Sequence, residues 1–142
     1  MMYYPKQIEV EWLTGKTFQS VVQVDKRILF NDTDGIVYFM EHDQECCEDV
    51  WIDDVCGDLQ DLVGTPILLA EEVSNREPPD GWAPGKDMWR NDSETWTFFK
   101  FSTIKGSVTI RWYGTSNGYY GESASVYMMP NDQGEADAYG KK

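Results

Sequence analysis

Residues 96–114 read WTFFKFSTIKGSVTIRWYG, and the fold that we predict follows from this stretch. Aromatic and β-branched residues alternate with polar ones on both sides of Lys105-Gly106, which is typical of two antiparallel strands joined by a tight turn. With a two-residue turn at that dipeptide, cross-strand partners point the same way and form one buried face. The predicted core face consists of Phe99, Phe101, Thr103, Val108, Ile110 and Trp112.

The opposite face of this hairpin carries the residues that we predict to bind a ligand. In the predicted register Lys100 lies directly opposite Arg111, where like charges repel each other. Phe98 and Tyr113 flank the two cations. Paired cations beside aromatic rings are typical of a pocket for an anionic group such as a phosphate. The alternative is an ordinary surface pair, neutralised by Glu122 or by the acidic middle of the chain.

A second hairpin is predicted at Asn117-Gly118, because this dipeptide readily adopts the positive φ of a tight turn. Residues 119–128 would then form a third strand beside 107–113. In that register Arg111 faces Ala124, Gly114 faces Gly121, and Glu122 lies diagonally from Arg111. The three strands would form a meander.

The rest of the chain adds short β segments and one helical turn. Residues 18–24 are rich in β-branched residues, and Asp34-Gly35 separates two apolar runs as in a hairpin. Residues 57–64 contain a capping Asp58 and a terminating glycine, which predict one short helical turn. We therefore predict an α+β fold of mostly antiparallel β structure, in which a meander sheet carries one short helix.

The chain has 142 residues, which is the size of one domain. We predict a single globular domain over residues 1–129. Residues 74–93 are rich in proline, glycine and polar residues and predict a long loop inside it. The small and polar residues 130–142 predict a flexible tail.

Acidic residues are concentrated in the middle of the chain. No Lys or Arg occurs from Ile28 to Asn75, and 13 of the 25 acidic residues lie there. The other 12 acids balance the 12 bases, so the net charge of −13 belongs to this stretch. Such a balance argues against broad nucleic-acid binding. We interpret the stretch as a solvated surface, with a surface for a basic partner and a cation site as the alternatives.

Residues 42–47 read HDQECC and hold the only histidine and two of the three cysteines. His42 and Cys46 share a face in either a strand or a helix. His42 and Cys46 could form a base and its nucleophile. Alternatively, His42, either Cys46 or Cys47, and Cys56 could bind zinc, with or without an aspartate. Acidic neighbours disfavour a thiolate, and the spacing matches no standard zinc finger. We therefore favour buried, inert cysteines, with no catalytic and no metal-ligating residue.

The expected cellular location is inferred from sequence features that are absent. The N-terminus has no apolar signal segment, and no apolar run approaches the length of a membrane span. An odd number of cysteines, two of them adjacent, is unlike a disulfide framework. We expect three unbonded thiols, a cytosolic setting, no membrane association and no cofactor.

Two segments carry a family resemblance. Residues 42–72 read HDQECCEDVWIDDVCGDLQDLVGTPILLAEE, and residues 96–120 read WTFFKFSTIKGSVTIRWYGTSNGYY. The patterns HDQ-x-CCE, GDL-x-DL-x-G-x-PI and RWYG-x-SNGYY resemble an uncharacterised family of small phage-encoded proteins over residues 10–128. The resemblance implies a bacteriophage or prophage origin and a location in the host bacterial cytoplasm. It implies no catalytic residue.

These observations favour a non-enzymatic, acidic phage protein that acts on a host target, for example as a counter-defence inhibitor. The partner would be a host protein, or a small anionic nucleotide signal held at Lys100 and Arg111. Assembly into an oligomer stays open. The alternative is an enzyme that uses His42 with Cys46, or one that depends on a metal ion.

Overall fold

A computed structural model describes residues 5–76, 93–117 and 121–129. These ranges form nine strands and two 3-10 helices. In chain order the strands are β1 (Lys6–Ile8), β2 (Phe18–Val24), β3 (Arg27–Asp32), β4 (Val37–Glu41), β5 (Asp49–Cys56), β6 (Leu69–Asn75), β7 (Ser93–Thr103), β8 (Gly106–Ser116) and β9 (Ser125–Met129). The 3-10 helices are Val10–Leu13 and Leu59–Leu62.

The strands form two sheets in which every ladder is antiparallel. The first sheet has the order β1-β9-β4-β3-β2, and the second has the order β5-β8-β7-β6. Strands β2, β3 and β4 form a meander in the first sheet, and β6, β7 and β8 form one in the second. This confirms the predicted fold class. The short helix between residues 57 and 64 is a single 3-10 turn, which the Asp58 carboxylate caps at the N–H of Gln60.

The two sheets face each other across one hydrophobic core. The rings of Phe30 in the first sheet and Phe101 in the second lie 5.6 Å apart between centroids. The indole N–H of Trp112 points across the core to the sulfur of Met40, at 3.1 Å. Because all four side chains are almost completely buried, the removal of apolar surface from water is what holds the sheets together.

The predicted core face of the β7–β8 hairpin is correct. The buried residues of this hairpin include Phe99, Phe101, Thr103, Val108, Ile110 and Trp112. The turn, however, lies at Ile104-Lys105, so that Phe101 pairs with Val108. Moving a turn by one residue changes each pairing by two residues, which leaves the same side chains on the same face.

Contacts with the second 3-10 helix determine where this turn lies. The hydroxyl of Thr103 donates to the carbonyl of Asp61 and accepts the N–H of Lys105. The ammonium of Lys105 donates to the carbonyl of Val63. Since these partners come from a distant part of the chain, the hairpin sequence alone carries no sign of them.

The predicted third strand lies in the other sheet. Strand β9 pairs with β1 and β4, and the second edge of β8 is occupied by β5. The predicted pairings of Arg111 with Ala124 and of Gly114 with Gly121 are therefore wrong. Gly118 of the predicted turn and residues 119–120 of the predicted third strand lie outside the described residues.

The other predicted irregular segments are described only at their borders. Strand β6 continues to Asn75 and β7 begins at Ser93, so the ends of the predicted loop 74–93 belong to strands. Residues 77–92 of that loop lie outside the described residues. The predicted tail over residues 130–142 lies outside them as well.

The chain crosses from the second sheet to the first directly over Gly114. A Cβ atom at Gly114 would overlap the backbone carbonyl of Glu122. The Glu122 side chain is buried and accepts hydrogen bonds from the hydroxyls of Ser93, Thr95 and Ser116. The hydrogen-bonded Glu122 carboxylate holds the crossing chain in place, and the absence of a side chain at Gly114 leaves room for its backbone. The sequence pattern did not predict this crossing.

Replacing Ile110 with alanine should lower the free energy of unfolding by about 2–5 kcal/mol, because the side chain is fully buried and leaves a cavity. Ile104→Ala is the matched control, since Ile104 is 78% exposed, and it should change stability by less than about 0.5 kcal/mol. Urea unfolding monitored by fluorescence measures both. Equal effects would contradict the placement of the hairpin.

Replacing Gly114 with alanine should cost about 1–3 kcal/mol, because the new methyl group must displace the backbone at Glu122. Gly121→Ala serves as the control, since a Cβ atom there meets no atom within 4 Å. Thermal unfolding of the two variants under the same conditions makes the comparison. If both alanines were equally tolerated, the crossing would not pass over Gly114.

Candidate functional site

Lys100 and Arg111 lie on the outer face of the second sheet, but they do not lie opposite each other. Lys100 pairs with Thr109 on β8 and with Glu71 on β6, while Arg111 pairs with Phe98. The predicted direct pairing of the two cations is therefore wrong. The cause is that the hairpin turn lies one residue earlier than predicted, which shifts each pairing by two residues. They are diagonal neighbours on one face.

The charge of Arg111 is balanced by an aspartate of the acidic stretch. Its Nε donates to the Asp53 carboxylate at 2.6 Å, and the two side chains are only 23% and 19% exposed. Asp53 sits in an irregularity of β5 between Ile52 and Asp54, where an extra residue is inserted opposite β8. The sequence left two alternatives for the group that neutralises the cations, Glu122 or the acidic stretch. The structure pairs Arg111 with Asp53 of the acidic stretch. Glu122 binds hydroxyl groups instead.

Aromatic rings fill the outer face next to this ion pair. Tyr113 is buried, its ring lies 4.9 Å from Trp51 and 5.4 Å from Trp96 between centroids, and its hydroxyl donates to Glu94 at 2.7 Å. Phe98 is half-buried. The residues predicted to bind an anion thus share one sheet face, and their role in binding stays a prediction.

His42 has both ring nitrogens engaged. Nε2 lies 2.7 Å from the Glu48 carboxylate, and Nδ1 lies 2.8 Å from the carbonyl oxygen of Ser123. Both ring nitrogens are thus occupied by partners within the protein. The side chain is 8% exposed. Since a general base needs a free nitrogen near its substrate, this geometry supports a structural role for His42.

Glu48 is the centre of the β4–β5 connection. Its carboxylate accepts the backbone N–H of Glu45 at 2.7 Å and of Cys46 at 3.0 Å, in addition to the His42 ring. Burial by itself raises the pKa of a carboxyl, but here the hydrogen bonds to the charged form outweigh it and lower the pKa of Glu48 to about 2. The residue is therefore a fully ionised anchor at neutral pH.

The cysteines differ from the sequence expectation. Cys46 and Cys47 are joined by a disulfide, and Cys56 is free. All three are exposed, while Glu48 takes the interior position beside Cys46 and Cys47. The predictions of three unbonded thiols and of buried cysteines are thus wrong, and the argument for a reducing compartment loses this support.

The cysteines and His42 do not converge on a common point. In the part of the chain that the structure describes, no group of three or more His, Cys, Asp or Glu side chains could hold a metal ion. His42 is directed at Glu48, and Cys56 lies at the far end of β5. The zinc alternative and the alternative of a Cys46 thiolate with a His42 base both lose their geometric basis.

A cavity of about 920 Å³ opens beside His42, between the β2–β3 turn and the start of β5. Trp112 and Val50 contribute apolar surface, and Arg27 forms an ion pair with Glu41 at 3.0 Å. Among the described residues, no cysteine or hydroxyl nucleophile lines this cavity. Its volume is large enough to admit part of a partner molecule.

The acidic stretch lies mainly on the exterior, around the edge strand β5. The exposed acids of residues 41–61 include Asp43, Glu45, Asp49, Asp54 and Asp58. Two further acids, Glu48 and Asp53, have structural partners, as described above. The surplus negative charge is therefore available to solvent and to a partner molecule.

A smaller cavity of about 120 Å³ on the outer face of the first sheet was missed from the sequence. It is lined by Pro5, Phe39, Glu41, Asp43 and Tyr127. These residues come from three distant parts of the chain. In the sequence, Phe39 and Tyr127 have the pattern of ordinary strand residues. Only their pairing in the first sheet brings them together.

The pKa of Glu48 leads to a prediction about acid stability. The unfolded carboxyl has the ordinary pKa of 4.5 and the folded one about 2, so the unfolded state takes up a proton first as the pH falls. The stabilisation is complete above about pH 4.5 and is lost as the pH falls towards 2. Glu48→Gln should therefore be less stable at pH 7, and its stability should fall less between pH 5 and pH 2.

Thermal unfolding across this pH range compares wild type, Glu48→Gln and the exposed control Glu45→Gln. The control should follow the wild-type curve. Parallel curves for wild type and Glu48→Gln would show that Glu48 is not the anchor.

Comparisons with known proteins identify a family but no characterised relative. Within the described ranges, neither helical segment is long or apolar enough to cross a bilayer. No curated protein matches the chain significantly, and no solved structure does either. A family model described as a domain of unknown function, DUF7448, matches residues 11–126. Because the match extends over most of its length, the chain belongs to the DUF7448 family.

Proposed function

We propose that this protein is a non-enzymatic binding protein that applies its acidic surface to a basic partner protein. The observation that carries the proposal is the confinement of the net charge of −13 to one stretch of the chain, whose exposed acids lie mostly around β5. Complementary charge accelerates the encounter of two proteins and orients them. A partner that normally grips nucleic acid would present the basic surface required.

The proposal also specifies the origin of the protein, the place where it acts and the kind of protein that it inhibits. They are an origin in a phage or prophage, action in the host bacterial cytoplasm, and inhibition of a host defence protein. They are supported by the resemblance of residues 42–72 and 96–120 to small phage-encoded proteins. The small size and strong acidity of the chain fit a protein that acts by covering another.

A small anionic ligand at Lys100 and Arg111 is the second candidate. Their shared sheet face and the half-buried ring of Phe98 favour it, whereas the Tyr113 ring is buried. The Asp53 carboxylate already neutralises Arg111 and would repel an anion beside it, which weakens this candidate. A catalytic function has less support, because both nitrogens of His42 are engaged.

The proposal is tested with a triple variant, Asp49→Asn, Asp54→Asn and Asp58→Asn, used as bait in bacterial lysate. A partner that wild type captures at low salt should be lost from this variant and should also dissociate as salt rises. The matched control replaces three exposed acids outside residues 28–75 with their amides: Glu9→Gln, Glu11→Gln and Asp25→Asn. This control should retain the partner.

Two results would contradict the acidic-surface proposal. One is equal capture of the partner by both triple variants. The other is calorimetric binding of a nucleotide that Arg111→Ala abolishes, with no salt-sensitive protein partner. The second result would instead establish the anionic-ligand candidate.

A further inference from the structure

We propose that the cavity formed by Pro5, Phe39, Glu41, Asp43 and Tyr127 binds the ammonium group of a lysine side chain from the partner. We name it the aromatic-acid cavity. It lies on the outer face of the first sheet and has a volume of about 120 Å³. The inference rests on the proposed function, because it specifies how a basic partner would be recognised.

The aromatic side of the cavity is built by strand pairing. Phe39 on β4 and Tyr127 on β9 are direct cross-strand partners, and their rings stack with centroids 5.2 Å apart. The face of an aromatic ring attracts cations. The protein itself already uses this property, since the guanidinium of Arg27 lies 5.7 Å from the centroid of the Phe39 ring.

The acidic side of the cavity includes one carboxylate, that of Asp43, which is available to a partner molecule. Glu41 is bound to Arg27 at 3.0 Å, whereas Asp43 is exposed and has no ion-pair partner among the described residues. Burial raises the pKa of the Tyr127 hydroxyl, a hydrogen bond with Ser125 opposes this, and the carboxylates of Asp43 and Glu41 raise it further. The negative potential of both carboxylates therefore reaches the ring.

Size and shape favour lysine over other cations and ligands. Sites for whole small molecules usually measure about 300–1,000 Å³, so a cavity of about 120 Å³ admits the end of one side chain. A lysine can lay its aliphatic stem along Pro5 and Tyr127 and place its compact ammonium at Asp43. The guanidinium position over Phe39 is already taken by Arg27. A nucleotide would meet two carboxylates there.

The test uses fluorescein-labelled octalysine and measures fluorescence polarisation with the full chain at low and moderate salt. Tyr127→Leu removes the aromatic face without changing the charge, so its effect separates the cavity from general electrostatics. It should weaken binding about two- to fivefold, and Tyr127→Phe should retain wild-type affinity. Thermal unfolding of each variant checks that the fold is intact.

The charge of the cavity is tested with a matched pair of variants. Asp43→Asn should weaken octalysine binding more than Asp54→Asn, although both remove one exposed charge from the same acidic stretch. If Tyr127→Leu has no effect and the two aspartate variants are equal, the cavity is not the site, while the proposed function stands. If wild type does not bind octalysine at low salt, both proposals are overturned.

Discussion

The hydrogen bonds of His42 join the two places where the chain passes between the sheets. The connection from β4 to β5 is folded around the Glu48 carboxylate, and the crossing from β8 to β9 presents the carbonyl of Ser123. One imidazole ring binds both. An unpaired polar group in this nearly dry place would cost free energy, so each partner depends on the other two. The relative position of the sheets at this end follows from the same three residues.

The interior acids of the chain have structural partners, while the others face solvent. Asp32 accepts the N–H groups of Asp34 and Ile36 and closes the β3–β4 turn. Glu122 is bound by three hydroxyls, and Glu48 by two backbone N–H groups and His42. A chain with a net charge of −13 can fold because buried carboxylates are hydrogen-bonded and the rest stay hydrated.

The two sheets offer different outer faces to a partner. On the second sheet, Arg111 is paired with Asp53, and Tyr113 is buried among other rings. On the first sheet, Phe39 and Tyr127 border a cavity with an exposed carboxylate at Asp43. Binding of a basic group uses the surplus charge that the chain already carries, whereas an anion at Arg111 would be repelled by the Asp53 carboxylate. This difference is why we favour a basic protein partner.

The sequence by itself determined which side chains of residues 99–112 form the inner face of the second sheet, because alternation along a strand follows directly from its geometry. It also determined the short turn capped by Asp58 and the location of the negative charge. Only the tertiary structure decided that β5 and not β9 lies beside β8, that Arg111 meets Asp53, and that Cys46 and Cys47 are bonded. The physical reason is that local pattern sets the direction of a side chain, whereas its neighbour across a sheet comes from a distant segment chosen by the packing of the whole chain.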